Sequence, residues 1–334
     1  FLHKHLLTPL FVFVRSTAEA IMSRARSRSP RGGKKPVLPD GLKNPNFEAL
    51  AEDHFFHIED AGLNTRVDLK AKLGDVKFVL MGGPPERAEF MAEKLSSTFG
   101  LAAEAMGSKE RYRLIKVGPV MAISHGIGMP SMSIVLHELT KALHYAGCKD
   151  VTYVRLGTSG GVGVEPGTLV VASHGVNAAL ECKYETTVLG KKKAFDTAFD
   201  PEVAEELAAA AKRVGHPVVI AKTMATDDYY EEQARLDGAL ATGYTESEKM
   251  AFLKQVYDSG VRNMEMEGTA LAAFCGRTGI RGALICAALL DRLKGDQTPE
   301  QASPEQISAW NQGTIHAVIE WLRTKLPTND AAGR

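Results

Sequence analysis

The sequence predicts a single-domain α/β fold, and three observations carry that expectation. From about Gly74 onward, short β-rich runs alternate with helical patterns, the order expected of a sheet flanked by helices. The chain has 334 residues, 44% hydrophobic and 24% charged, which is material for a large core. No internal repeat and no interior linker divides the alternating region, so about 250 residues belong to one unit.

The elements follow in order. Residues 77–81 read as a strand ending at Gly82-Gly83, and Pro84 opens a helix in a position that tolerates proline. Residues 112–117 and 120–124 flank Gly118-Pro119, which predicts a hairpin or tight corner. Residues 131–146 carry Ile134, Val135, Leu139 and Leu143 at helical spacing, with Gly147 as the stop. Val151-Thr152-Tyr153-Val154 is β-branched and aromatic and reads as a buried strand, and residues 168–173 as the next. Helices are expected over 201–214, 246–258, 267–278 and 304–326, and strands over 218–224 and 283–290.

Composition narrows function. The net charge is zero, so no overall field draws the chain to nucleic acid or anionic lipid. Cys148, Cys182, Cys275 and Cys286 are scattered and form no C-x-x-C pair, which favours reduced thiols in a cytoplasmic protein over a zinc site or disulfide framework. No metal-ligand spacing is present, so neither metal nor cofactor is expected, and no apolar run is long enough to span a bilayer.

Residues 6–14 are an apolar run after Lys4, but the chain begins with Phe1 and Met22 opens a second start, so residues 1–21 read as upstream sequence or an artefact rather than a working signal, with a transit peptide as the alternative because Glu19 is the only acid before Asp40. Residues 23–35 contain no acid and little apolar material; they read as a solvated tail, with an electrostatic arm for RNA as the alternative. Residues 1–39 are therefore expected to be a disordered or artefactual arm, and 327–334 a tail.

The most informative stretch is residues 155–167, Arg-Leu-Gly-Thr-Ser-Gly-Gly-Val-Gly-Val-Glu-Pro-Gly. It reads as a loop in which Gly157, Gly160, Gly161 and Gly163 bring backbone N–H groups close to a ligand. Thr158 and Ser159 add hydroxyls and Arg155 a fixed charge. The stretch reads either as an anion cradle at the end of a strand, where open α/β sheets bind ligands, or as a Gly-rich turn with a surface arginine. It lacks the Gly-Lys-Ser/Thr of a Walker loop and the glycine spacing of a dinucleotide fingerprint. Gln233-Ala234-Arg235 follows Asp227-Asp228-Tyr229-Tyr230; if extended, Gln233 and Arg235 converge on one ligand edge, which suits a pyrimidine, with Tyr229 as a wall. Met264-Glu265-Met266-Glu267 precedes a helix, and its carboxylate and thioether suit a sugar. Arg87, Arg111 and His57 are further candidates, each equally readable as a surface or packing residue.

The order of these motifs resembles that of the uridine phosphorylases of the nucleoside phosphorylase superfamily, most closely the dimeric animal branch. The resemblance runs from about Asp53 to Leu326. It rests on Gly74-Asp75-Val76-Lys77-Phe78-Val79, on Ser124-His125-Gly126-Ile127-Gly128-Met129-Pro130-Ser131 and on Leu136-His137-Glu138-Leu139. Residues 155–167, Gln233-x-Arg235-Leu236-Asp237-Gly238-Ala239 and Glu265-Met266-Glu267 complete it.

The resemblance implies a three-layer α/β/α fold around a mixed, partly barrel-like sheet, occupying residues 74–326, with residues 40–73 contributing to a homodimer. It implies reversible phosphorolysis of uridine to uracil and ribose 1-phosphate, with deoxyuridine and thymidine as further candidates. Phosphate would lie against Gly83, Arg87, Arg155 and Thr158, with Arg111 reaching in from the neighbouring subunit. Gly160, Tyr229, Gln233 and Arg235 would bind uracil. Met266 and Glu267 would hold the ribose, with His57 crossing the dimer to the 5′-hydroxyl. Arg235, Gln233 and Arg155 would be catalytic.

The chain departs from the family pattern at three places. Tyr229 replaces the usual phenylalanine, Glu232-Gln233-Ala234 replaces Gly-Gln-Gly, and Asp291 replaces asparagine. Purine-cleaving relatives carry an aspartate near that last position, so a purine phosphorylase or a nucleosidase is the alternative among enzymes. A catalytically silent nucleoside- or RNA-binding protein is the alternative outside them.

Overall fold

In the computed structural model, the described residues are Asn44, 54–58, 62–63, 67–106 and 111–326. The expected N-terminal arm, the C-terminal tail and most of residues 40–73 lie outside them. A mixed nine-stranded sheet runs in the order β10-β9-β6-β11-β5-β1-β4-β3-β2. Its strands are β1 (Phe78–Gly82), β2 (Ala103–Met106), β3 (Leu114–Val117), β4 (Val120–Ser124), β5 (Thr152–Gly161), β6 (Leu169–Val176), β9 (Val218–Ala225), β10 (Val261–Glu265) and β11 (Arg281–Asp291). Strands β7 (Lys183–Val188) and β8 (Lys191–Asp196) form a separate hairpin.

The sheet closes on itself. β5 begins between β1 and β11, both parallel to it. Beyond Arg155 its pairing with β1 ends, and Gly160 and Gly161 pair antiparallel with Met264 and Asn263 of β10. Strands β5, β11, β6, β9 and β10 therefore make a ring, with β1 to β4 as an open extension, which is the mixed and partly barrel-like sheet anticipated.

Two sets of helices cover the faces. The first is α1 (Leu69–Leu73), α3 (Met129–Tyr145) and α6 (Gly268–Thr278), with Leu73, Leu139 and Leu271 in one apolar cluster. The second is α2 (Pro85–Phe99), α4 (Pro201–Arg213) and α7 (Pro304–Arg323), which bury Leu95, Leu207 and Trp321 on the other face. A smaller cluster packs Leu253 and Val256 of α5 (Glu246–Asp258) against Met224 and Met264. Caps mark the helix starts: Thr245 and Ser303 form capping boxes with Glu248 and Gln306, and Asp200 accepts from the amides of Glu202 and Val203.

The predicted elements form close to their expected limits, and the additions have physical reasons. β7 and β8 are exposed and polar, so no apolar alternation marks them; Leu189 and Gly190, both at positive φ, make the tight turn between them. β10 buries Asn263 and Glu265, polar residues that conceal a strand pattern. β5 corrects the reading of residues 155–161 as a loop: they continue the strand, because the β11 and β10 ladders hold the glycines in extended backbone. Only Gly163 and Gly167 of that stretch adopt positive φ. The ends of the mutually parallel strands β1, β4, β5 and β11, together with the end of β10, which runs antiparallel to β5, thus surround one opening.

Candidate active site

A cavity of about 380 Å³ opens at those strand ends, within the usual range of small-molecule sites. On one side it is lined by Gly83 after β1, Arg87 of α2, Gly126 after β4, and Arg155 and Thr158 of β5. Arg87 reaches the cavity across Gly82, where a Cβ would stand 2.9 Å from its stem, and its Nη1 donates to the Leu156 carbonyl at 3.3 Å. Arg155 folds back over Gly157: a Cβ there would lie 2.4 Å from its Nη1 and 2.9 Å from the Cys286 sulfur. Of the glycines expected to supply free N–H groups, Gly157 serves here by leaving room for a guanidinium group and Gly160 by leaving room for the stem of Arg292.

The Arg155 guanidinium is buried and bound to two carboxylates. Its Nη1 lies 3.1 Å from Glu265 Oε2, and its Nη2 donates to Glu267 Oε2. Glu267 also accepts the Gly128 amide at 2.6 Å, at the positive N-terminal end of α3. Burial opposes the Arg155 charge, but Glu267 and then Glu265 outweigh it and hold the pKa above the ordinary arginine value. Burial and the neighbouring Arg155 lower Arg87. Burial works against charge on Glu267, yet Arg155, followed by His125 and the Gly128 amide, keeps it below the usual carboxylate range. Burial dominates at Glu265 and, with Glu267 adding to it, raises that carboxyl in spite of Arg155.

The opposite wall holds Gly160, Tyr229, Gln233, Arg235, Leu289 and Leu290. Gln233 and Arg235 do converge, although not through an extended strand. Ala234 sits at φ 53°, and the Arg235 amide bonds back to the Tyr230 carbonyl at 2.8 Å, so the segment is a turn. Gln233 Nε2 donates to Thr226 at 3.0 Å, and the Arg235 guanidinium lies 4.2 Å from the Tyr229 ring centre. Behind them Arg292, fully buried, donates to the Gln233 carbonyl at 2.6 Å and to Asp296 at 2.7 Å, and Lys249 reaches the same Asp296 at 2.8 Å. Met266 and Glu267 line the cavity between the two walls.

Two predicted residues are not in this lining. His57 is held by Glu138 of α3, which takes its Nδ1 at 2.7 Å and the amides of His57 and Ile58 at 2.9 and 3.0 Å. Arg111 is exposed. Asp291 is also outside the lining: one carboxylate oxygen accepts from the amides of Gly163 at 2.8 Å and Leu293 at 3.1 Å, so it secures a turn. Sequence reasoning missed Glu265 as a partner of Arg155 and Arg292 as a support for Gln233. Glu265 stands inside a motif already singled out and Arg292 beside Asp291, but only the closure of β10 onto β5 puts them in place.

Comparison with known proteins identifies the family of this fold. A model of the family described as "Phosphorylase superfamily" matches residues 77–322. Uridine phosphorylase 2 of Mus musculus is 42% identical over 263 residues, covering 77% of this chain and 81% of its own. Inactive uridine phosphorylase B of Schistosoma mansoni is 40% identical over 288 residues, covering 84% and 95%. A crystal structure of uridine phosphorylase from Schistosoma mansoni in complex with uracil superposes with a TM-score of 0.79 at 42% identity, over 84% of this chain and 98% of that one. The chain belongs to the phosphorylase superfamily and groups with its animal uridine phosphorylases.

Gly157 gives a direct test of the arginine pocket. A Cβ at Gly157 would press on both the Arg155 guanidinium and the Cys286 sulfur, which are buried, so Gly157→Ala should displace the guanidinium from its carboxylates and lower the thermal midpoint as well. Affinity for inorganic phosphate, measured by calorimetry, should fall about tenfold or more, equivalent to about 1.4 kcal/mol. Unchanged affinity would show that Arg155 does not hold the anion.

Proposed function

We propose that this chain catalyses the reversible phosphorolysis of uridine to uracil and ribose 1-phosphate. One observation carries the reading: Arg87 and Arg155 on one wall, and Gln233 and Arg235 on the other, open into a single cavity with Met266 and Glu267 between them. Similarity to the mouse enzyme and to the flatworm structure with uracil supports it. Kinship alone does not decide activity, since a relative of 40% identity is named inactive; the presence of both walls favours an enzyme.

In this mechanism Arg87, Arg155 and Thr158 hold phosphate below C1′ of the sugar. A phosphate oxygen forms the new bond to C1′ as the glycosidic C1′–N1 bond breaks, and the electron pair of that bond leaves with uracil. Negative charge then spreads to the uracil carbonyls, where Arg235 and Gln233, themselves buried, stabilise it. Glu267 accepts from the ribose hydroxyls and orients the ring, with Met266 packed on it. Phosphate is itself the nucleophile, so no serine, cysteine or cofactor has a role to fill. Asp291, committed to two backbone amides, gives no support to a purine preference.

Arg235→Ala should lower kcat/KM for uridine about 100- to 1000-fold, near 3 kcal/mol, with Gln233→Ala less severe because no charge is removed. Near-normal turnover by Arg235→Ala would refute the pyrimidine assignment. Uracil release, followed by absorbance, should require phosphate and proceed with arsenate. Rapid release in phosphate-free buffer would identify a nucleosidase, and uridine binding without release would place the chain with its inactive relative.

We further propose a cytoplasmic homodimer in which Arg111 and His57 complete the neighbouring site; the free cysteines suit that compartment, and the exposure of Arg111 leaves it available to a partner. Mixing Arg111→Ala chains with Arg235→Ala chains tests this. Each homodimer should be nearly dead, whereas the heterodimer has one intact site and should recover about half of wild-type activity. Failure of tagged heterodimers to complement would place Arg111 in its own subunit's site.

A further inference from the structure

Two carboxylates share the Arg155 guanidinium, which with Arg87 faces the phosphate pocket. The side chains of Arg155, Glu265 and Glu267 are 6%, 2% and 4% exposed, so bulk water screens none of them. Glu265 cannot swing aside: its Oε1 accepts the Gly268 amide at 2.8 Å and its Oε2 the Glu267 amide at 3.0 Å. Gly268 makes this fit possible, since a Cβ there would stand 2.7 Å from Oε1. Arg155, Arg87 and the two glutamates sum to zero charge. A tetrahedral dianion on the arginines would bring the buried group to −2. Like charges about 4 Å apart cost several kcal/mol even at an effective dielectric constant near 20.

The other titratable groups facing this cluster are His125 at the end of β4, Arg87 of α2 and Cys286 of β11. The Cys286 sulfur accepts from Arg155 Nη1 at 3.3 Å. Among the described residues, neither ring nitrogen of the fully buried His125 has a hydrogen-bond partner. Burial drives His125 down to about 3 and the Cys286 thiol up to about 12, so each stays neutral. Of the two carboxylates, Glu267 is anchored in its charged form by Gly128 and Arg155, whereas burial, with Glu267 adding to it, holds Glu265 above the usual carboxylate range in spite of Arg155.

We infer that Glu265 takes up a proton when a tetrahedral dianion occupies the pocket, and so changes from a competitor for Arg155 into a neutral neighbour that yields Nη1 to the anion. The inference rests on the reading of this pocket as a phosphate site. The proton comes from solvent, is held on the Glu265 carboxyl and returns to solvent when the anion leaves. Glu265 is on this account a positioning residue, acting through Arg155. Because the anion prefers the protonated form, affinity is full below the Glu265 pKa and falls as pH rises through it, by up to tenfold per unit.

Sulfate is the probe of choice, since it remains a dianion throughout this range and adds no protons of its own. Calorimetric titration of the full chain at pH 8 in two buffers of different ionisation enthalpy should show close to one proton taken up per sulfate bound. The Kd should rise about tenfold from pH 8 to pH 9. Glu265→Gln should bind sulfate with no proton uptake and a flat pH profile, and His125→Asn should keep the uptake. Sulfate bound by the wild-type chain without a proton would overturn the inference alone, and that measurement needs no variant to fold. Uptake that survives Glu265→Gln, or vanishes in His125→Asn, would overturn the assignment to Glu265. Binding that is absent, or unaffected by Arg155→Ala, would remove the phosphate site itself and the inference with it.

Discussion

The site depends on burying the Arg155 guanidinium at the end of β5. A charge with so little access to water persists only when countered, and Glu265 and Glu267 supply the counter-charge. That requirement reaches well beyond the pocket. Gly157 must lack a side chain so that the guanidinium can fold back, and Gly268 must lack one to admit Glu265. The N-terminus of α3 must face Glu267, because the Gly128 amide is its second anchor. One ion cluster therefore ties β5, β10, α3 and the start of α6 into a fixed relation.

The opposite wall is built on different physics. Gln233 and Arg235 lie on a turn with little regular hydrogen bonding, so their positions come from groups behind them. Arg292 grips the Gln233 carbonyl and is itself held by Asp296, which Lys249 of α5 also binds. Gly160 leaves room for the Arg292 stem, which packs 3.2 Å from where its Cβ would be. A strand end fixes the anion side and a side-chain network fixes the base side, with β5 common to both.

Much of this was legible in the sequence where hydrophobic period and chemistry coincide. The helix over 246–258 and the strand at 120–124 form as expected, and the helix expected over 304–326 forms over Pro304–Arg323, each from an apolar pattern with a clear start signal. The ligand-facing residues were legible as types: guanidinium groups beside glycines, an amide two positions from an arginine, a carboxylate before a helix. Their local backbone was less so. Residues 155–161 look like a loop because glycine lowers strand propensity, yet ladders on both sides impose a strand. Gln233-Ala234-Arg235, read as convergent if extended, is a turn, because the Glu232 and Asp228 carboxylates accept from the amides of Asp227 and Tyr230 and wind the segment before it. Glu265 and Arg292 have meaning only through contacts distant in sequence, and no local pattern encodes those.

The closure of β10 onto β5 has a consequence for how the molecule meets other molecules. An open nine-stranded sheet would present two unpaired edges, each a template for an intruding strand. The ring consumes one of them, and among the described residues the main sheet is left with β2 as its free margin. That margin is four residues long, includes the charged Glu104, and offers an incoming chain few groups to pair with. The arrangement that assembles the pocket thus also limits the backbone through which misdirected self-association could spread.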